Sequence, residues 1–174
     1  IGVFSILSIL HHTEQFRMGF DEVDALTGPL IGRPKSATYR TCDVVGLDTM
    51  GHVIKTMADT LPDDPWHGYF KTPEFLQYLI YNKTKKQKTG AGIFKKIGKE
   101  IHVLDLSVMD YRPSVAQVAP EVLAILKDKN PRSKFKALRE SGHPQAQFLW
   151  ACFRDLFHYC AFHLADIAAS AREL

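Results

Sequence analysis

The sequence predicts an all-α fold, mainly helical, broken by one small β-hairpin near residues 93–104. Three observations point there. Apolar residues recur at spacings of three and four in the clearest segments, such as Phe75, Leu76, Leu79 and Ile80. Helix start and stop signals, mostly Pro, Asp, Thr and Gly, bracket those segments. Only around Gly98-Lys99 do β-formers face each other across a turn, Ile93-Phe94 on one side and 101–103 on the other. With 174 residues, 45% hydrophobic and 24% charged, the chain has the balance of a folded protein of one ordinary domain or two small ones.

Taken in order, residues 2–16 read as a helix, apolar almost all round until His11 and therefore expected deep in a core. Gly19 stops it, and Asp21 and Asp24 open a short helix that ends near Gly28. Pro34 is placed to begin a helix that runs to about Val45 and stops at Gly46. Asp48 is the expected N-cap of the next helix, reaching Asp59. Residues 61–66 form a loop, and Thr72-Pro73-Glu74 caps a helix. Gly90-Ala-Gly92 breaks the helical pattern before the hairpin. Helices return at 120–128 and 131–140, and a long one after His143-Pro144 is expected to run to the end of the chain. Its stripe Phe148, Cys152, Leu156, Tyr159, His163 and Ile167 should be buried, sharing a core or a dimer contact with residues 1–10.

A net charge of +3 is too weak to argue for nucleic acid, whose binders concentrate Lys and Arg on one face. Cys42, Cys152 and Cys160 make no disulfide framework, which fits a reducing, cytoplasmic setting. The apolar run 1–10 lacks the flanks of a signal peptide and is too short to span a bilayer. It reads as a helix whose earlier turns lie upstream, and the last helix likewise lacks a stop signal. No GxSxG, HExxH or GxGxxG occurs, so no self-contained catalytic constellation is visible.

Three groups of residues could carry chemistry. Lys83, Lys85, Lys86, Lys88, Lys95, Lys96 and Lys99 surround Gly90 and Gly92, either as a phosphate-attracting patch or as a solvated loop. His158, Cys160 and His163 contain metal-ligand types, but His158 and His163 are five apart and core packing accounts for them better. The third is the block 28–48. There Arg40 could pair with Asp43 one turn on, either as a surface pair or as part of a site, and Lys35 lies free in the first turn. Ser36, Tyr39, Arg40 and Asp43 would then share one stripe of a helix begun at Pro34.

Gly19-Phe-Asp-Glu-Val-Asp-Ala-Leu-Thr-Gly-Pro29 and Ile31-Gly-Arg-Pro-Lys-Ser-Ala-Thr-Tyr-Arg-Thr-Cys-Asp-Val-Val-Gly-Leu-Asp-Thr49, followed by Lys88-Thr-Gly-Ala-Gly-Ile-Phe94, resemble the C-terminal helical region of 3-hydroxyacyl-CoA dehydrogenases in their long bacterial form. Ile93 and Phe94 stand where that family has Phe-Tyr. Three blocks in order over the first 95 residues make the resemblance specific. His163-Leu-Ala-Asp-Ile-Ala168 looks like the opening of a second copy of the same unit. The resemblance implies residues 1–96 as a first helical repeat, 97–143 as a connector and 144–174 as a truncated second repeat.

It further implies a fold similar to the 6-phosphogluconate-dehydrogenase C-terminal type, packed against a Rossmann domain. In the family NAD and the catalytic His–Glu pair belong to that Rossmann domain, and a substrate-binding Asn precedes the position of Ile1. On this reading the chain holds no catalytic, cofactor-binding or metal-binding residue of its own. It would form one wall of an acyl-CoA cleft in fatty-acid β-oxidation, with Lys35, Thr38, Arg40 and Asp43 as substrate-binding candidates. Alone it would be inactive. The expected partners are acyl-CoA, its own Rossmann domain and a possible homodimer, with no nucleic acid and no membrane span. The rival reading is a non-catalytic helical interaction or dimerisation module.

Overall fold

The computed structural model of the chain describes residues 1–85 and 91–173. In chain order the elements are α1 (Gly2–Phe16), α2 (Phe20–Thr27), α3 (Tyr39–Val45), α4 (Leu47–Thr60), α5 (Glu74–Lys85), β1 (Phe94–Ile97), β2 (Glu100–Asp105), β3 (Asp110–Pro113), α6 (Pro120–Lys127), α7 (Pro131–Glu140) and α8 (Pro144–Ile167). The fold is mainly helical with one small antiparallel sheet, as expected from the sequence.

The chain forms two compact units. One comprises Ile1–Phe16 and Ala119–Leu174. Here α1 packs along α8: the rings of Phe4 and Tyr159 stack at 3.7 Å, and Phe16 meets Phe148 edge-on at 6.0 Å. The expected shared core of residues 1–10 and the α8 stripe is thus present, but only over part of the stripe. Phe148 and Tyr159 are buried, whereas Ile167 is exposed. Asp155 takes a place on the buried face, a position the apolar spacing did not mark. The helix also stops at Ile167, capped by extended Ala168, rather than running on to the end. Local chemistry sets the other boundaries. Asn130 accepts the Arg132 N–H at the start of α7, and His143 Nδ1 accepts the Gln145 N–H at the start of α8, each with Pro in the first helical position.

The second unit is Arg17–Val118. An aromatic knot of Phe20, Tyr39 and Phe75, with centroids 4.4 and 4.7 Å from the Phe20 ring, joins α2, α3 and α5. Val23, Leu26, Leu47, Met50, Ile54 and Leu76 complete the helical core. The expected hairpin is the first part of a three-stranded sheet in the order β1-β2-β3. Phe94 pairs with Val103 across β1 and β2, and Val103 with Arg112 across β2 and β3. The third strand, Asp-Tyr-Arg-Pro, has a single aromatic among polar residues, so β-propensity does not reveal it.

Two helix starts differ from the sequence expectation. The helix expected from Pro34 begins at Tyr39. Residues 35–38 form a turn, the Ala37 N–H donates to the Pro34 carbonyl at 2.9 Å, and Ala37 adopts φ +48°, which no α-helix accommodates. Nor is Asp48 an N-cap. It lies inside the first turn of α4, whose capping residue is Gly46 at φ +99°, a backbone conformation in which glycine is unstrained.

Candidate functional site

Of the four candidate residues, Thr38 and Arg40 owe their position to a carboxylate on the preceding helix. Asp24, buried on α2, accepts the backbone N–H groups of Thr38 at 3.1 Å, Tyr39 at 2.6 Å and Arg40 at 3.0 Å. These are the free donors at the start of α3, so Asp24 caps that helix from outside it. Burial pushes the Asp24 carboxyl up to about 6, against the opposing pull of the three N–H donors and of the Arg40 charge. Thr27, whose hydroxyl donates to the Val23 carbonyl, receives the Thr38 hydroxyl at 2.8 Å. Thr38 is therefore buried and committed to the fold, while Lys35 and Arg40 are exposed on the segment that Asp24 holds.

Asp43 is committed in the same way. Its two carboxylate oxygens accept the N–H groups of Ile93 and Phe94, each at 2.8 Å, so that α3 anchors the entry to β1. Gly92 is obligatory for this contact: a Cβ there would stand 2.1 Å from Asp43 Oδ1. Tyr111 on β3 closes the same corner by donating its hydroxyl to the Gly92 carbonyl at 2.5 Å. Burial raises the Tyr111 phenol, with Asp43, Tyr78 and Asp110 adding to the effect, so it stays a donor. Arg40 does not pair with Asp43 as expected from their spacing. Its guanidinium lies over the Phe94 ring, 4.9 Å from the centroid. The stripe of Ser36, Tyr39, Arg40 and Asp43 likewise does not form, because Ser36 precedes the helix and Tyr39 points into the aromatic knot.

A second anchor escaped the sequence reading. Arg112 on β3 donates to both oxygens of Asp21 on α2, at 2.8 and 2.9 Å, and from Nε to Asp105 at 3.0 Å. The Val115 N–H reaches Asp21 as well. Burial raises the Asp21 carboxyl, but the Arg112 hydrogen bonds and charge outweigh it and leave it below the usual carboxylate range. The partners are 91 residues apart, and no local pattern joins them.

Chemically, the corner offers two exposed cations, Lys35 and Arg40, on a rigid base. Its carboxylates are occupied by N–H and guanidinium donors, which suits binding rather than proton transfer. Cys42 is no nucleophile here: burial, and then the charges of Asp24 and Asp43, push its thiol up to about 12. Of the lysine cluster, Lys86 and Lys88 lie outside the described residues, as does the Lys88-Thr-Gly90 part of the glycine motif. Lys95 sits over the Tyr111 ring at 5.3 Å. Among the described residues no group of three His, Cys, Asp or Glu side chains could hold a metal ion, and no helix is long and apolar enough to cross a membrane.

In the other unit His12 Nε2 lies 2.6 Å from Asp155 Oδ2, both side chains buried, and Arg154 donates to the second Asp155 oxygen. Sequence spacing gave no sign of this pair, whose members are 143 residues apart. Among the described residues neither His158 nor His163 joins it in a group that could hold a metal ion.

The family model described as "3-hydroxyacyl-CoA dehydrogenase, C-terminal domain" matches residues 4–96. Among curated proteins, a "Probable 3-hydroxyacyl-CoA dehydrogenase" of Bacillus subtilis (strain 168) is 36% identical over 170 residues, covering 97% of this chain and 21% of that protein. A protein of Deinococcus radiodurans with the same description is 37% identical over 100 residues, covering 58% of this chain and 28% of its own length. The chain thus spans between a fifth and a third of the relatives it matches. No solved structure matches it.

Proposed function

This chain belongs to the 3-hydroxyacyl-CoA dehydrogenase family, matching its C-terminal domain, and on that premise we propose that it is the helical, substrate-facing part of an NAD-dependent oxidoreductase. The whole enzyme would oxidise the 3-hydroxyl of an acyl-CoA to a ketone in the cytoplasm, within fatty-acid β-oxidation, by hydride transfer assisted by a histidine base. Residues 1–96 would be the first helical repeat, 97–143 the connector and 144–174 the opening of a second repeat. A homodimer contact would use the helical surface as well.

The described residues of this chain do not fit NAD. A dinucleotide needs a glycine-rich turn between a strand and a helix of a parallel βαβ unit, and the described strands pair antiparallel in one small sheet. We therefore assign the cofactor and the proton transfer to a Rossmann domain outside this chain, and to this chain the acyl-CoA wall. One observation carries the assignment. The second and third of the family's blocks meet in space through Asp43 and Gly92, and that junction leaves Lys35 and Arg40 exposed on the segment Asp24 holds. Two cations so placed suit the phosphates of a CoA ester. Thr38 and Asp43 would act through position, Thr38 by fixing the turn and Asp43 by fixing the sheet.

The test is steady-state kinetics on the complete dehydrogenase. Lys35→Ala and Arg40→Ala should each raise KM for an acyl-CoA about five- to thirtyfold while kcat is kept, the loss of about 1–2 kcal/mol of ground-state binding. Asp43→Asn should lower thermal stability as well as kcat/KM. If all three variants retain normal kcat/KM and lose only stability, the block is scaffold and the assignment fails.

A further inference from the structure

The unit built from Ile1–Phe16 and Ala119–Leu174 carries a feature that the dehydrogenase reading leaves unused. A groove of about 380 Å³ opens between α7 and α8, lined by Arg132, Phe135, Lys136, Arg139 and Trp150. That volume lies in the usual range for small-molecule clefts, ~300–1,000 Å³. On α7 the spacing 132, 136, 139 puts the three cations within an arc of about 60°. Among the described residues no carboxylate lies within ion-pair distance of Arg132 or Lys136, and Arg139 meets only its exposed neighbour Glu140 at 3.7 Å. Like charges so close on a helix repel one another, and a bound anion would relieve that repulsion.

The walls of the groove are aromatic. Phe135 is fixed edge-on against Phe153 at 5.1 Å and Phe157 at 5.3 Å. Trp150, half-buried on α8, lines the same groove. Guanidinium groups hold phosphate oxygens in pairs, and an indole face takes a planar base by stacking. A bare anion would use the cations and leave the aromatic walls idle, whereas an apolar ring would do the reverse. We propose that this groove binds a mononucleotide with a terminal phosphate, its phosphates on Arg132, Lys136 and Arg139 and its base against Trp150 and Phe135. The terminal phosphate matters because it presents a dianion to three converging cations.

The site stands independently of the substrate wall at Lys35 and Arg40, so failure of one leaves the other intact. Its test uses the chain carrying Trp66→Phe, which leaves Trp150 as the sole indole, with ADP, adenosine and inorganic pyrophosphate as probes. Fluorescence titration is run beside calorimetry, so that binding without quenching is still seen. ADP should bind saturably with a Kd below about 1 mM, and about tenfold more tightly than either adenosine or pyrophosphate. The double variant Arg132→Ala/Lys136→Ala should weaken ADP by at least about tenfold with no fall in Tm, since both side chains are exposed and their mutual repulsion is removed. No saturable ADP binding by either method overturns the proposal. So does pyrophosphate binding as tightly as ADP, which would mark a simple anion site, or an unchanged Kd in the double variant.

Discussion

Gly92 illustrates how a motif residue can be read correctly as a type and still have its reason elsewhere. From the sequence it marks a break in helical pattern, but its backbone needs no special φ. What requires glycine is the Asp43 carboxylate, 2.1 Å from where a Cβ would stand. Gly92→Ala should therefore destabilise the chain by about 2–4 kcal/mol, through overpacking and through the Ile93 and Phe94 bonds that Asp43 must release to make room. Asp43→Ala alone should cost about 1–3 kcal/mol, and in its presence Gly92→Ala should add little, because the clashing partner has gone. Urea denaturation of the two single variants and the double variant measures the coupling. Strictly additive costs would mean that Gly92 serves some other contact. Asp24 is the parallel case. Asp24→Ala leaves the N–H groups of Thr38, Tyr39 and Arg40 without their acceptor, and the expected loss is about 2–3 kcal/mol, above that of an ordinary exposed cap.

At the level of elements, the sequence was most legible where the signal is local. Proline and a capping side chain bracket α7 and α8, glycine separates α3 from α4, and the apolar face of α5 is the one that packs. It was least legible where a boundary is imposed from a distance. Pro34 looks like a helix start because its φ suits one, but the donors that need a cap are those of Thr38, Tyr39 and Arg40, and Asp24 on α2 supplies it. β3 was invisible because Asp-Tyr-Arg-Pro carries little β-propensity, and the Arg112–Asp21 link that ties it to α2 spans 91 residues. That link carries a pH dependence. Since the Asp21 carboxyl is lowered on folding, its contribution is fully present above the ordinary carboxylate value and is lost as pH falls through the depressed one. Arg112→Met should cost about 2 kcal/mol at neutral pH, less than the ~3–5 of fully buried pairs because the guanidinium is partly solvated. The variant should also lose less stability than wild type as pH falls below the ordinary carboxylate value of about 4. Parallel acid unfolding of the two proteins would remove Asp21 from this role.

For the whole molecule, the candidate site was half legible. Lys35, Thr38, Arg40 and Asp43 sit in a block whose order and spacing are specific, which is what proposes them as site residues, but the part each plays in the fold was not legible. Two of them face solvent and two hold the fold, a division that depends on burial and on partners on α2 and β1. The same division bears on what the chain can do alone. General-base work needs a carboxylate or imidazole within reach of a substrate proton. Asp24 and Asp43 are occupied by backbone donors, Asp21 by Arg112, and His12 is buried against Asp155. The cations at Lys35 and Arg40 can bind an anionic ester but cannot accept a proton from it, and the antiparallel sheet provides no βαβ turn for a dinucleotide pyrophosphate. The chain alone, mixed with a 3-hydroxyacyl-CoA and NAD, should therefore form no NADH, while the complete dehydrogenase forms it under the same conditions. Absorbance of NADH against protein concentration is the measurement. A rate proportional to the chain's concentration, and abolished by substitution within it, would place the catalytic groups in this chain and overturn the division of labour proposed for it.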